Sequence, residues 1–475
     1  MKFPIAIVVI LATASLALPA GAAEKAKAKP IAIAKLDRKT PVDFEKEVLP
    51  VLNASCIACH NKTKPKSGLV LETPADIRKG GDNGPAIVAG KPAESRLMKS
   101  AAHSDADIEP MPPANNKVNA QNLTGEQLGL ISLWIEQGAT GEVKGAAPLA
   151  WQRLPETVQP VYAVAINADG SIAAAGRGAG IDLYDLKAGK LLTRLADPAM
   201  GKATDKPVAH RDIVQSLAFS PDGKFLASGA FREVKLWVRP ADSDAAVWKL
   251  DFTIGTGGND SPLVDRVCAL DFSPNGQLLA IGGGVPSRTG QIAIYSVKAA
   301  KIERSLDEIH SDTVLALQFS ADSKKLVTGS ADKFVRLVDV ESGKVIRSFE
   351  GHTHHVLGVS LRKDGKIIAS AGADNALKFW DTETGERRKQ SPTFEKEATC
   401  VRYIGDGDLT VVSTGDAKVK LYRDNGAENK SMPGAVDFMY GVAASADGKT
   451  IVAGGQDGVV RVWGADGKPQ GTFDK

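Results

Sequence analysis

Two rhythms of apolar and polar residues divide this chain, and each predicts its own kind of element. In the first stretch apolar residues recur at helical spacing. Phe44, Val48 and Leu52 fall at i, i+4 and i+8, on one face of a helix from Asp43 to Ser55. Pro50 lies inside it, lacks an N–H, and is expected to kink or weaken the second half. Leu69 to Gly90 reads as short strands and turns, punctuated by Gly80-Gly81 and Asn83-Gly84-Pro85. Ala93 to Ser100 predicts a short helix with Met98 as a core residue. Thr124-Gly125-Glu126-Gln127 has the form of a capping box. The helix it opens carries Leu128, Ile131 and Ile135 on one face with Trp134 beside them, and Gly138 stops it.

From Val161 a second rhythm takes over, and one phrase recurs seven times. It reads Leu217-Ala218-Phe219-Ser220-Pro221-Asp222-Gly223, then Leu270-Asp271-Phe272-Ser273-Pro274-Asn275-Gly276, and last Ala443-Ala444-Ser445-Ala446-Asp447-Gly448. Each phrase begins as a strand and ends in a tight turn of Asp-Gly or Asn-Gly type, which supplies the positive φ a hairpin needs. A small-residue strand such as Leu226-Ala227-Ser228-Gly229 follows, then one such as Leu377-Lys378-Phe379-Trp380-Asp381. The period is near the roughly 40–45 residues of four-stranded propeller blades, and the phrases resemble WD40 repeats. That resemblance implies an all-β WD40 propeller of about seven blades over residues 151–475. In the fullest repeat, 351–390, it implies a hydrogen-bonded chain through His352, Ser370, Asp374 and Trp380. Val338-Asp339 and Leu421-Tyr422 replace Trp-Asp elsewhere. The ring is expected to close through Trp151-Gln152-Arg153-Leu154 or through Gln470-Gly471-Thr472-Phe473.

Composition sets limits. At 475 residues the chain is too long for one ordinary domain. Hydrophobic content of 43% and charge of 24% fit a soluble globular protein. A net charge of +3 gives no argument for a nucleic-acid partner or an acidic membrane surface. Residues 1–23 stand apart: Lys2, an apolar run from Ile5 to Leu18, then Ala20-Gly21-Ala22, the pattern of a secretory signal peptide. The run is short for a bilayer span, and no later stretch is long and apolar enough, so no transmembrane segment is expected in the mature chain. Residues 24–41, rich in Lys and Ala, are expected to form a flexible leader, and the Gly/Ala-rich 141–150 a linker.

Candidate chemistry centres on Cys56-Ile57-Ala58-Cys59-His60, the C-x-x-C-H attachment pattern of c-type haem. Thiols at this spacing can each bond one vinyl group of a porphyrin, and the next residue sets an imidazole beneath the iron. A redox-active C-x-x-C and half of a zinc site are the competing readings. Zinc needs about four ligands, and the remaining cysteines, Cys268 and Cys400, lie far off in the repeats. A thioredoxin-like motif belongs near a βαβ pattern, and none surrounds this one. Ile108-Glu109-Pro110-Met111-Pro112-Pro113 sets a thioether in a stiff loop. Thioether sulfur binds haem iron and raises its potential, so Met111 is the expected sixth ligand, with His103 its rival.

With these residues placed, 42–140 resembles the planctomycete-type cytochrome c domain of exported bacterial proteins. The likeness runs through Phe44, Val48-Leu49-Pro50-Val51-Leu52, the haem motif, Gly84-Pro85-Ala86-Ile87-Val88-Ala89-Gly90, Ser95-Arg96-Leu97-Met98, Met111-Pro112-Pro113 and Trp134-Ile135-Glu136-Gln137-Gly138-Ala139. It implies an all-α cytochrome c domain with one covalent haem c on Cys56 and Cys59, its iron held by His60 and Met111. The expected protein is a periplasmic or otherwise exported mono-haem electron carrier. Its propeller would serve protein–protein contacts, holding a redox partner protein, a role inferred by fold analogy. No residue cluster in the repeats has the character of a catalytic site. The alternative is an enzyme similar to cytochrome cd1 nitrite reductase, with a second haem on the propeller and His354 or His355 as its ligand. Seven repeats, against the eight blades of that enzyme, count against it.

Overall fold

The computed structural model describes residues 29–62, 65–114, 116, 120–143, 160–200, 208–241, 243–306 and 308–474. The expected signal peptide at 1–23, the start of the leader, most of the linker and Trp151 to Leu154 lie outside the described residues. The chain divides into two compact units, Met1–Pro148 and Leu149–Lys475.

The first unit is a set of short helices joined by long turns. Phe44–Val48 forms a widened, π-type turn that runs directly into α1, Leu49–Ser55. Pro50 is the cause. Having no N–H, it leaves the carbonyl four residues back unserved, and Leu49 donates to Phe44 O, five residues back. The distortion therefore precedes the proline, and the second half, expected to weaken, is regular helix. A helix, α2 (Pro74–Lys79), occupies part of the stretch expected to be strands and turns. Thr73 Oγ1 accepts from Asp76 N at 3.1 Å, and Pro74 takes the first position, where a missing N–H costs nothing. Two more helices follow, α3 (Arg96–Ala101) and α4 (Gly125–Glu136). The capping box of α4 makes both its bonds, at 2.9 and 3.2 Å. Phe44, Val48, Leu52, Met98, Leu128, Ile131, Trp134 and Ile135 share one core.

Residues 29–41, expected to be a flexible leader, lie as a strap against the helices. Ile31 N donates to Ala102 O at 2.8 Å and Ala34 N to Gly125 O at 2.9 Å. A small-residue seam on α4 admits the strap. A Cβ on Gly125 would meet Ala32 O at 2.5 Å, and one on Gly129 would meet Ala34 O at 2.3 Å. Arg38 then bonds Glu47 at 2.9 Å, tying the strap to the first helical turn.

The second unit is a seven-bladed propeller. Each blade is a four-stranded antiparallel sheet of consecutive strands: β1–β4 (161–195), β5–β8 (216–255), β9–β12 (269–305), β13–β16 (314–349), β17–β20 (356–390), β21–β24 (398–432) and β25–β28 (439–473). The serine of the recurring phrase ties its turn. Ser220 Oγ donates to Asp222 Oδ1 at 2.6 Å and accepts from Phe225 N at 2.9 Å, and Ser320 and Ser445 do the same. Gln470 to Phe473 belongs to β28, the outer strand of the last blade, and pairs only within that blade. One backbone bond, Ala446 N to Ala168 O at 3.2 Å, and several side chains close the seam with the first blade. Arg177, at the end of β2, donates to Phe473 O at 3.0 Å and to Gly458 O, and pairs with Asp182 at 3.1 Å. Tyr184 stacks on Phe473 with ring centroids 4.5 Å apart.

Candidate functional site

The haem-type motif is an extra turn on the end of α1. Cys56 N donates to Leu52 O at 2.8 Å, and Cys59 N and His60 N both donate to Cys56 O at 3.1 Å. Ile57 is anchored in the core. That anchor leaves Cys56, Cys59 and His60 to line a cleft. Leu69, Leu71, Ala86, Leu97, Ala101 and Leu123 give it an apolar wall. Its empty volume is about 1160 Å³ with the open solvent at its mouth included. Met111 lines the same cleft. Its N donates to Ser100 O at 3.1 Å, and Ser100 Oγ donates to Glu109 O at 2.6 Å, so the proline-rich loop is fixed to α3. His103 is not among the lining residues; it takes a φ of 54°, and its Nε2 is buried without a partner.

Burial lowers the pKa of His60, against the raising effect of the Leu69 and Lys66 backbone, and so favours the neutral ring. Its Nδ1 is buried with no hydrogen-bond partner. A neutral imidazole with an unsatisfied nitrogen is the state that ligates a metal. Burial, aided by the neighbouring Cys59, pushes the Cys56 thiol up to about 12. A disulfide oxidoreductase needs the reverse, a thiol shifted down. The zinc reading fares no better: among the described residues, no group of three or more His, Cys, Asp or Glu could hold a metal ion. The donors that do converge are two thiols, one imidazole and one thioether in an apolar cleft, and this set fits a haem. The sequence reading missed Arg96 and Asn83, which also line the cleft. Its trace was the Ser-Arg-Leu-Met stretch, whose Leu97 N bonds Ala86 O at 2.8 Å.

On the propeller, the hydrogen-bonded chain of the fifth blade is complete. His352 bonds Asp374 at 2.8 Å and Ser370 at 2.7 Å, and Trp380 Nε1 donates to Ser370 Oγ at 2.7 Å. The same chain recurs in the second blade through His210, Ser228, Trp237 and Glu233. A shortened form in the fourth uses His310, Thr328 and Asp332. Polar side chains also link neighbouring innermost strands near the ring's axis. Asp271 accepts from Phe319 N at 2.7 Å, Gln318 from Leu361 N at 2.7 Å, and Ser360 from Tyr403 N at 2.9 Å. His354 and His355 lie before β17 with ring centroids 4.4 Å apart.

Fold and cleft together define a two-part protein: a small helical unit with a haem-type attachment site, and a WD40 propeller of seven blades. Comparison with known proteins agrees. A family profile for Planctomycete cytochrome C matches residues 56–115. One for the WD domain, G-beta repeat, matches residues 202–237, 303–339, 343–381 and 428–464. Among curated proteins, the chain is 32% identical over 150 residues to the chromatin assembly factor 1 subunit FAS2 homolog of Oryza sativa subsp. japonica, covering 30% of this chain and 28% of that protein. It is 27% identical over 148 residues to human transducin beta-like protein 2, covering 30% and 31%. It is 25% identical over 129 residues to U3 small nucleolar RNA-associated protein 12 of Saccharomyces cerevisiae, covering 27% and 12%. The chain thus spans less than a third of the length of each of these relatives.

Proposed function

We propose that this chain is an exported mono-haem cytochrome that passes single electrons to a partner protein. The observation that carries the reading is the convergence of Cys56, Cys59, His60 and Met111 on one apolar cleft. In this reading the first unit is a cytochrome c domain. Cys56 and Cys59 bond the porphyrin, and His60 and Met111 hold its iron from two elements, the end of α1 and the loop tied to α3. The bound haem would supply the one-electron couple. The residues around it shut water from the ring, and burial together with a thioether ligand raises the potential. The propeller serves as the platform for protein contacts, a role supported by its fold alone. Export is supported by the signal-like residues 1–23. Among the described residues no helix is long and apolar enough to cross a membrane.

The test is to make the chain in a host with a working cytochrome maturation system and to weigh it. The expected mass is that of the mature polypeptide plus one porphyrin, with pyridine haemochrome analysis giving one haem c per chain. A polypeptide of unmodified mass would overturn the reading. An additional extractable haem would establish the propeller-haem enzyme in its place.

A further inference from the structure

Arg96 opens α3 and is the sole lysine or arginine among the residues lining the cleft. It lines the cleft yet is exposed to solvent, so it stands at the mouth. Among the described residues its guanidinium makes no hydrogen bond or ion pair. Its charge reaches Asp105, but that carboxylate is already paired with Lys99 at 3.3 Å. Two other polar side chains of the cleft, Asn116 and Ser100, are spent on the backbone. Asn116 bonds Pro113 O and Ala120 O at 3.0 Å and accepts from Ala120 N, and Ser100 bonds Glu109 O. Arg96 is therefore a cation with free donors at the rim of an apolar cavity.

A haem is apolar over most of its ring and carries two propionates on one edge. Setting the ring into an apolar cleft leaves those anions where solvent and cations can meet them. We propose that Arg96 binds a haem propionate at the mouth of this cleft and so positions the macrocycle edge against α3. The assignment rests on the haem reading above. A guanidinium matches a carboxylate with two parallel hydrogen bonds, which fixes orientation as well as charge. Glu109 also lines the cleft and carries the opposite charge, so it supplies the control.

The experiment uses the full chain matured with haem, as wild type, Arg96→Gln, Arg96→Lys and Glu109→Gln. Mass and haem content are measured first, then the midpoint potential across the neutral pH range. A propionate that loses its cation holds its proton to higher pH, by about 1–3 units for a close opposite charge. The bend in the potential against pH should move up by that order in Arg96→Gln. It should move less in Arg96→Lys, and should not move up in Glu109→Gln, where Lys99, Asp105 and His60 are unchanged. A bend that stays put in Arg96→Gln at full haem content overturns the assignment, as does a haem content that collapses in the Gln and Lys variants alike. A wild-type chain without added porphyrin mass overturns the haem reading itself, before any potential is measured.

Discussion

At the scale of single residues, the proposed haem reading turns on which side chain would face the iron from the second side. Met111 lines the cavity and His103 does not. Attachment depends on sulfurs elsewhere, so Met111→Ala should keep its covalent haem and lose the far-red charge-transfer band of Met-ligated ferric haem. If the native protein lacks that band and His103→Ala changes its spectrum instead, His103 is the ligand. A second residue-scale expectation concerns Asp271. Burial pushes its carboxyl up to about 7, outweighing the Phe319 N–H and the Arg402 charge, which both lower it. A raised carboxyl contributes stability at low pH that is lost as pH rises towards 7. Asp271→Asn keeps an oxygen for the Phe319 N–H and removes the charge. It should stabilise by on the order of 1 kcal/mol above neutrality and by almost nothing well below it. Urea midpoints at the two pH values check this; an equal effect at both would refute it.

At the scale of elements, the strap on α4 makes a sharp demand. Gly129 leaves no room for a side chain, because a Cβ there would lie 2.3 Å from Ala34 O. Gly129→Ala should improve helix propensity and still cost about 1–3 kcal/mol, since the strap must lift. A thermal melt at or above the wild-type value would show that the strap contributes nothing. The blade chains set a pH dependence. Burial lowers the pKa of His210, His310 and His352, against the raising pull of Glu233, Asp332 and Asp374. Their stability is present above the unfolded value of about 6.5 and is lost as pH falls below it. Propeller stability should therefore drop between about pH 7 and about pH 5.5, by on the order of 1 kcal/mol for each ring, with Asp271 working in the opposite sense. A flat or rising profile would contradict this.

The same elements show what could be read in advance. The cap, apolar face and stop signal of α4 all lie within its own residues, so it was legible. The strap was not, because an extended segment carries no helical period; its trace was the pair Gly125 and Gly129 on one face of α4. The helix α2 hid behind the glycine turns that follow it, although Thr73-Pro74 was its start signal. The chains in the second and fourth blades escaped because Arg232 stands where the fullest repeat has its Asp, the carboxylate coming instead from Glu233 on the third strand, and because Thr328 stands where that repeat has Ser. The shared trace is a constant separation of 18 residues between histidine and hydroxyl. The C-x-x-C-H stretch stood out because its spacing is itself a signal, and the structure sets Cys56, Cys59 and His60 on one cleft. The cleft's rim was not, because it is assembled from segments far apart in the chain.

At the scale of the whole propeller, the ring is held shut at one seam by side chains and a backbone bond from Ala446 N to Ala168 O. Arg177 is buried there against Asp182, Phe473 O and Gly458 O. Arg177→Ala should cost about 3 kcal/mol, because it strips a buried carboxylate of one partner and leaves two carbonyls unserved. Denaturation followed by tryptophan signals checks it; an unchanged midpoint would mean that blade packing alone seals the circle. Since every sheet begins and ends its own four strands, the seam marks where the polypeptide happens to be cut. Splicing residue 474 to residue 160 and opening a different turn between sheets would leave all seven intact. Cyclic permutants of this unit should be interchangeable isomers of one architecture. The sheets can also form one after another along the chain, with only the final handshake waiting for the tail.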